Sequence, residues 1–246
     1  MRIAPWLMLL AAACAPQATS TPSVPAPVAV RADSTSAVPN SIHWFRNSAE
    51  YRALALQVFR HATEELARQA ADLPRGSWAV ILDADETVLD NSEYQRRNAL
   101  RGTAFNLETW YAWARERAAP AVPGAPEFTQ AVQRQGGRIA IVTNRDQAVC
   151  PDTEANLRAA GIAVDVVLCR TTPAASDKNP RFRAVADGTT PAGLPPLRIM
   201  AWVGDNIRDF PELDQDAGAA ALQPFGTRYF MLPNPMYGSW EGRERR

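Results

Sequence analysis

Lysine, histidine and cysteine are scarce in this chain. Its 246 residues include a single lysine, Lys178, two histidines and three cysteines. Acidic and basic residues balance at 26 each, so no net charge draws the protein toward a nucleic acid polymer or an anionic surface. A Gly-rich phosphate loop of the Walker or dinucleotide type is also missing, which excludes those nucleotide-binding classes. The composition therefore favours a small-molecule substrate.

The apolar run at the N-terminus is too short to span a bilayer as a transmembrane helix. It fits the apolar region of an export signal, and Cys14 directly after three alanines resembles the bacterial lipobox. That resemblance implies a signal peptide over residues 1–14, with a lipidated Cys14 retained; an ordinary signal is the alternative. Residues 15–40 are rich in Pro, Ser, Thr and Ala and predict a disordered tether. We expect a protein lipid-anchored in the bacterial cell envelope, with the outer membrane favoured, facing the periplasm or the surface.

Cys150 and Cys169 are the two cysteines that lipidation leaves over. Export would place them in an oxidising compartment, where they can pair. A disulfide requires their Cα atoms to lie within about 7 Å, so a disulfide and two buried thiols both remain open at this point.

Four apolar runs of strand length alternate with helical patterns along the chain. A long amphipathic helix is predicted before the first run, and a shorter one, closed by Gly161, between the second and third. This order predicts an α/β fold with a central parallel sheet, and helices in residues 87–134 that cover one edge. The predicted helices are Glu50–Asp72 and Thr153–Ala160, and the predicted strands are Trp78–Leu82, Arg138–Thr143, Val164–Leu168 and Arg198–Asp205.

Polar side chains follow three of these strands where ligands bind in parallel sheets. Asp83 and Asp85 follow the first strand, Thr143 and Asn144 end the second, and Asp205 ends the fourth. Two neighbouring carboxylates repel unless a cation lies between them, and Mg²⁺ prefers such oxygen ligands. Taken alone, the pattern D-x-D-x-T also fits acids that cap helices or form turns.

Lys178 lies between the third and fourth predicted strands, from where it can reach the acidic edge. A chain that otherwise uses arginine has reason to keep lysine where a compact point charge is needed. Chance survival of one surface lysine is the alternative.

Four ordered motifs carry a family resemblance: "DADET", Thr143 of "IVTNR", Lys178 and "GDNIRDF". They resemble the motifs of the haloacid dehalogenase (HAD) superfamily. With "LPNPMYGSWEG" near the C-terminus, the chain is similar to acid phosphatases of the lipoprotein e(P4) type, a class C acid phosphatase group that includes 5′-nucleotidases. The resemblance implies a HAD-like Rossmannoid three-layer domain over residues 41–246, with a smaller, mostly helical cap region within about 87–134.

The resemblance also implies a role for each motif residue. Asp83 would be the nucleophile that forms an aspartyl-phosphate, and Asp85 the general acid and base. Thr143 would bind a phosphoryl oxygen, and Lys178 would neutralise charge and orient Asp83. Mg²⁺ would be held by Asp83, by the backbone carbonyl of Asp85 and by Asp205.

Two more polar residues are assigned with these. Asp209 follows Asp205 by about one helical turn and would contact Lys178 or metal-bound water; a helix-capping role is the alternative. Asn144, beside Thr143, is a candidate substrate-binding residue.

Four aromatic residues are candidates for a slot that stacks a nucleobase, which would favour nucleoside monophosphates. Two of them stand three residues apart on one helix face, a spacing that equally fits ordinary core packing. The hypothesis is therefore a Mg²⁺-dependent phosphomonoesterase that acts outside the cytoplasm on nucleoside 5′-monophosphates or similar aromatic esters. A catalytically silent surface lipoprotein that binds nucleotides is the alternative, and a homodimer is left open. The four aromatic candidates are Phe105, Trp110, Trp113 and Tyr237.

Overall fold

The structure is a computed structural model that describes residues 38–244. The predicted signal peptide with Cys14, and all but the last three residues of the predicted tether, lie outside the described residues. Within residues 38–244, no helix is both long enough and apolar enough to cross a bilayer.

Five parallel strands form one sheet in the order β3-β2-β1-β4-β5. Every residue of β1 is buried, because helices cover both faces of the sheet and the central strand meets no solvent. This sheet confirms the predicted α/β class. The strands are β1 (Trp78–Leu82), β2 (Arg138–Asp146), β3 (Val166–Arg170), β4 (Arg198–Gly204) and β5 (Tyr229–Met231).

Seven α-helices accompany the sheet in the described part of the chain. Ser48 caps the longest of them by accepting a hydrogen bond from the Tyr51 amide at 3.0 Å. The helices are α1 (Asn40–Asn47), α2 (Ala49–Gln69), α3 (Ser92–Arg101), α4 (Leu107–Glu116), α5 (Ala125–Gln135), α6 (Cys150–Ala159) and α7 (Asn179–Asp187).

Two apolar cores lie on opposite faces of the sheet, which makes the predicted three layers. On one face α2 packs on α5, where the Phe59 and Phe128 rings lie 5.3 Å apart, and Leu157 of α6 joins the same core. On the other face α7 contributes Phe182, whose ring lies 6.4 Å from that of Trp202 in β4.

The segment predicted to form the cap, residues 87–134, contains three helices between β1 and β2. The last of these, α5, packs against α2 over the sheet rather than over its edge. The helix α4 is joined to α6 by an ion pair between Arg117 and Asp152 at 2.7 Å. Within the segment predicted to form the cap, α5 thus belongs to the helical layer on the sheet, and a cap remains a prediction for α3 and α4.

Four strand boundaries differ from the prediction, and one strand was not predicted. The strand β3 ends two residues later than predicted, at Arg170, and β4 ends one residue earlier, at Gly204. The strand β2 runs three residues beyond Thr143, because its end pairs with β3 through Asp146 and Arg170. The strand β3 starts two residues later than predicted, because the Asp165 carboxylate accepts a hydrogen bond from the Ile139 amide at 2.8 Å before the ladder begins. The strand β5, a three-residue edge strand with one buried side chain, was not predicted.

Cys150 and Cys169 form a disulfide, with Cα atoms 6.0 Å apart. It joins the start of α6 to β3, beside the edge of the sheet where β2 ends. Of the two arrangements that the sequence left open, the structure has the disulfide.

Candidate active site

The carboxyl ends of three adjacent strands bring the predicted site residues together. Asp83 follows the central strand β1, and its amide donates to the Val203 carbonyl of β4 at 3.0 Å, which fixes the backbone there. Thr143 lies on β2 and Asp205 directly follows β4. From β1 the chain runs outward through β2 and β3 on one side and then crosses to β4 and β5 on the other side of β1. This edge, between β1 and β4, is therefore the topological switch point where ligands bind in such sheets.

Lys178 lies buried between two carboxylates at this edge. Its ammonium contacts Asp83 Oδ1 and donates to Asp209 Oδ1 at 2.7 Å. The other Asp209 oxygen accepts from the Asn206 amide at 2.9 Å, so Asp209 both pairs with the lysine and caps a short 3₁₀ turn. Gly204 makes this approach possible, because a Cβ there would lie 2.3 Å from the Asp209 Cβ.

Three carboxylates crowd this end of the sheet. Oxygen atoms of Asp83, Asp205 and Asp209 lie within 4.8 Å of one another. Burial raises the pKa of Asp83 to about 7, although the Lys178 charge lowers it. Burial also raises the pKa of Asp205 well above its usual range, and the charges of Asp209 and Asp83 add to that shift. Carboxylates in this state favour a proton or a bound cation.

Lys178 keeps its positive charge in this setting. Burial lowers its pKa, but the carboxylates of Asp209 and Asp83 outweigh burial and raise the pKa above the ordinary lysine value. One ammonium faces three carboxylates, so further positive charge would stabilise the cluster of Asp83, Asp205 and Asp209. Hard oxygen donors at these distances suit a divalent ion such as Mg²⁺.

Asp205 is oriented by two neutral donors. The Thr87 hydroxyl donates to its Oδ1 at 3.3 Å, and the Asn234 amide donates to its Oδ2 at 2.8 Å. Asn234 belongs to the loop after β5 that also carries Tyr237. The C-terminal loop is thereby connected to the acidic edge.

Asp85 has different partners from Asp83. Its Oδ1 accepts hydrogen bonds from Arg145 Nε at 2.9 Å and from Asn91 Nδ2 at 2.8 Å. The side chain of Asp85 is 20% exposed, whereas that of Arg145 is 1% exposed. The two aspartates of "DADET" are thus held by two different cations, Lys178 and Arg145.

Thr143 is buried, and its Oγ1 accepts a hydrogen bond from the Arg145 amide at 3.0 Å, so its hydroxyl proton is available for another acceptor. Asn144, its exposed neighbour, donates to the Ser176 carbonyl at 3.0 Å and accepts from Arg181 at 2.6 Å. Both ends of the Asn144 amide are engaged with the segment that leads to Lys178. In this arrangement Asn144 joins β2 to the segment around Lys178.

The four aromatic candidates occupy different environments. Trp113 is buried and donates its indole N–H to Asn91 at 2.9 Å, so neither face of its ring is open to a ligand. Phe105 is 64% exposed and its ring lies 6.2 Å from that of Trp110. Tyr237 is half-buried in the loop after β5. A partly exposed aromatic cluster is formed by Tyr94, Phe105 and Trp110.

Glu86 and Asp90 shape the turn between β1 and α3. Glu86 is buried with φ of 56°, and its carboxylate accepts from the Asn91 amide at 2.8 Å. Burial raises the pKa of Glu86 well above its usual range, and the nearby charges of Asp85 and Asp205 raise it further. Asp90 accepts from the Ser92 amide at 2.8 Å at the start of α3.

Comparison with known proteins identifies the family. The family model described as HAD superfamily, subfamily IIIB (acid phosphatase), matches residues 7–240. The chain belongs to this family. This result confirms the resemblance stated from the motifs, and it makes the enzyme a phosphomonoesterase.

Solved structures of similar proteins agree with this assignment. The acid phosphatase shares 28% identity with the class C acid phosphatase from Bacillus anthracis, covering 82% of this chain and 86% of that one with a TM-score of 0.72. The same enzyme with tungstate bound matches at 27% identity, with the same coverage and TM-score. The HAD-like fold predicted for the chain is confirmed by this likeness.

Several residues that contact the predicted site residues of this acid phosphatase were not assigned from the sequence. Arg145 lies inside the quoted motif "IVTNR", but a charged side chain after an apolar run normally indicates only the end of a buried strand. Asn91 directly precedes α3, where an amide side chain normally indicates only a helix cap. Thr87 and Asn234 lie inside quoted motifs, "DADET" and "LPNPMYGSWEG", which was the available signal. Arg181 binds the Thr143 carbonyl from α7 and had no signal of its own.

Proposed function

We propose that this acid phosphatase hydrolyses nucleoside 5′-monophosphates and related phosphate monoesters, with Mg²⁺, through an aspartyl-phosphate on Asp83. The observation that carries the proposal is the setting of Asp83. Its buried carboxylate stands at the switch point of the sheet, contacts Lys178, and lies near Asp205. A nucleophile needs this combination of fixed position and compensated charge.

In the first step, one oxygen of Asp83 attacks phosphorus while the bond from phosphorus to the ester oxygen breaks. Lys178 contacts Oδ1 of Asp83, which leaves Oδ2 for the attack. Asp85 gives a proton to the leaving oxygen, so that an alcohol departs rather than an alkoxide. Thr143 donates its hydroxyl proton to a phosphoryl oxygen.

In the second step, water attacks the phosphorus of the aspartyl-phosphate. Asp85, now a carboxylate, takes a proton from that water, inorganic phosphate leaves, and the Asp83 carboxylate is restored. Asp83, Asp205 and the backbone carbonyl of Asp85 would hold Mg²⁺, which would supply the positive charge that keeps both side chains ionised beside an anionic substrate. The tungstate complex of the Bacillus anthracis relative supports a site for a tetrahedral oxyanion.

The aromatic cluster of Tyr94, Phe105 and Trp110 supports the preference for nucleotides. A chain of contacts leads from Asp85 to Arg145, and the Arg145 guanidinium carbon lies 5.3 Å from the Trp110 ring centroid. The exposed Phe105 ring at the outer end of this chain can stack a base. Asn144 and Tyr237 remain proposed contacts to the substrate.

We also propose that Cys14 carries lipid and that residues 15–40 tether the enzyme to the envelope. The disulfide between Cys150 and Cys169 supports an oxidising location outside the cytoplasm. Labelling cells with an alkyne-tagged fatty acid tests the anchor: the wild-type chain should be labelled and Cys14→Ala should not. Label in the Cys14→Ala chain would contradict it.

Hydrolysis of p-nitrophenyl phosphate by the purified protein tests the catalytic proposal. Activity should require Mg²⁺, disappear with a chelator, and disappear in Asp83→Asn, while Asp152→Asn, a change in a surface ion pair, should remain active. Folded wild-type protein that turns over none of a panel of phosphate esters would favour the silent binding protein instead.

A comparison of AMP with glycerol phosphate tests the nucleotide preference. Base stacking is worth about 1 to 3 kcal/mol, so Phe105→Ala should lower kcat/KM for AMP by about 5- to 150-fold and leave glycerol phosphate unchanged. Leu100→Ala, which removes another exposed apolar side chain nearby in sequence, is the matched control. Equal kcat/KM for the two esters in the wild-type enzyme would contradict the preference.

A further inference from the structure

Arg145 is a buried cation on β2 whose donors converge on the acidic edge. Its Nε donates to Asp85 Oδ1, its Nη2 donates to Asn91 Oδ1 at 3.0 Å, and its Nη1 donates to Thr153 Oγ1 at 3.3 Å. The Nη2 atom also lies 2.9 Å from Asp85 Oδ1. The ring of Trp110 covers the guanidinium. A planar group held on every side in this way has one orientation.

The side-chain amide of Asn91 also has a single orientation. Its side-chain oxygen accepts from both Arg145 and the Trp113 indole N–H, so its amide nitrogen must face Asp85, where it donates to Oδ1 at 2.8 Å. The amide cannot turn over without placing its N–H groups against two other donors. Trp113, a candidate for base stacking from sequence, therefore acts on Asp85 through Asn91.

The two oxygens of Asp85 consequently differ. Oδ1 accepts from both Arg145 and Asn91, whereas no hydrogen bond from residues 38–244 reaches Oδ2. We infer that Arg145 and Asn91 are positioning residues. Because they occupy Oδ1 of Asp85 with hydrogen bonds, Oδ2 is the oxygen that exchanges a proton with the leaving group and with the hydrolytic water. This inference rests on the proposed role of Asp85 as general acid and base.

A purely structural role for Arg145 is the competing explanation, because a buried cation and its carboxylate also stabilise the fold. The two roles differ in how the loss depends on the leaving group. A p-nitrophenolate leaves without protonation, whereas the alkoxide of glycerol phosphate needs a proton from Asp85. The value of kcat/KM includes the step that breaks the ester bond but not the later hydrolysis of the aspartyl-phosphate.

The test compares kcat/KM for glycerol phosphate and p-nitrophenyl phosphate in Arg145→Lys. Positioning predicts a loss of about 100-fold or more for glycerol phosphate and much less for p-nitrophenyl phosphate. Trp113→Phe, which removes the N–H that orients Asn91 together with part of a buried ring, should show the same selectivity at about 2- to 10-fold. Arg228→Lys is the matched control, since Arg228 also lies over a tryptophan ring, that of Trp202 at 5.0 Å, but contacts neither Asp85 nor Trp113.

Asp85→Asn provides the reference that separates the two proposals. If Asp85→Asn lowers kcat/KM equally for both esters, the assignment of Asp85 as the acid is wrong. If Asp85→Asn lowers kcat/KM mainly for glycerol phosphate, but Arg145→Lys and Trp113→Phe lower it equally for both esters, only the positioning role is overturned. Should Arg145→Lys fail to fold, as judged by its thermal transition, the selectivity of Trp113→Phe decides the outcome.

Discussion

Replacing Lys178 with methionine removes the one ammonium between Asp83 and Asp209 while keeping a flexible side chain of similar length. All three side chains are less than a tenth exposed, so water cannot hydrate the carboxylates that lose their cationic partner. Removing one partner of a buried ion pair typically costs about 3 to 5 kcal/mol, because the remaining charge is left unpaired. Lys178→Met should therefore lower the free energy of unfolding by that amount at pH 7.

Arg183→Met is the matched control, because Arg183 lies on α7, the helix that Lys178 precedes. Its ion pair with Glu212 is exposed, with side-chain exposures of 62% and 75%, and such pairs are worth about 1 kcal/mol or less. Urea unfolding with unchanged m-values measures both losses. The loss in Lys178→Met should also shrink at pH 5, because Asp83, whose pKa burial raises to about 7, then takes a proton. Equal losses in the two variants would refute this account of the buried charges.

Three further predictions concern the disulfide, the support of Asp205, and pH. Replacing Cys150 and Cys169 with serine should lower the free energy of unfolding by about 3 kcal/mol, as expected for a loop of this length; an unchanged urea midpoint would contradict it. Asn234→Ala should weaken Mg²⁺ binding about 10- to 100-fold in calorimetry by releasing Asp205, and unchanged affinity would exclude that support. The pKa of Asp83 is raised from 3.8 to about 7, so the metal-free fold holds a proton that the unfolded chain releases; its melting temperature should fall as pH rises between those values, and added Mg²⁺ should offset that fall. A metal-free melting temperature that rises across this range would contradict the sign.

The sequence predicted best where hydrophobicity alone decides the structure. The strand Trp78–Leu82 is buried along its whole length, and its limits in the structure match those predicted. The strand Tyr229–Met231 escaped prediction because an edge strand of three residues carries too few apolar positions to form a pattern. The charged end of β2 escaped it because Arg145 is stabilised by partners from distant parts of the chain, and no local pattern reports them.

The same distinction applies to the site. The acids of "DADET" and the single lysine could be assigned from chemistry and motif order, because strand ends converge by topology. The spacing of Trp110 and Trp113 could not separate stacking from packing, since both residues lie on one helix face. The structure separates them by their partners: Trp113 binds Asn91 inside the protein, and Trp110 lies beside the exposed ring of Phe105.

Acid-quenched single turnover with ³²P-labelled AMP tests the central claim most directly. The proposed mechanism predicts a transient, acid-stable label on the peptide that contains Asp83, and no label in Asp83→Asn. Asp85→Asn should form the label more slowly, because the leaving alkoxide of AMP loses its acid, and should also lose the label more slowly once formed, because the hydrolytic water loses its base. Full turnover of AMP with no labelled protein at any time point, or label on a peptide without Asp83, would contradict the mechanism.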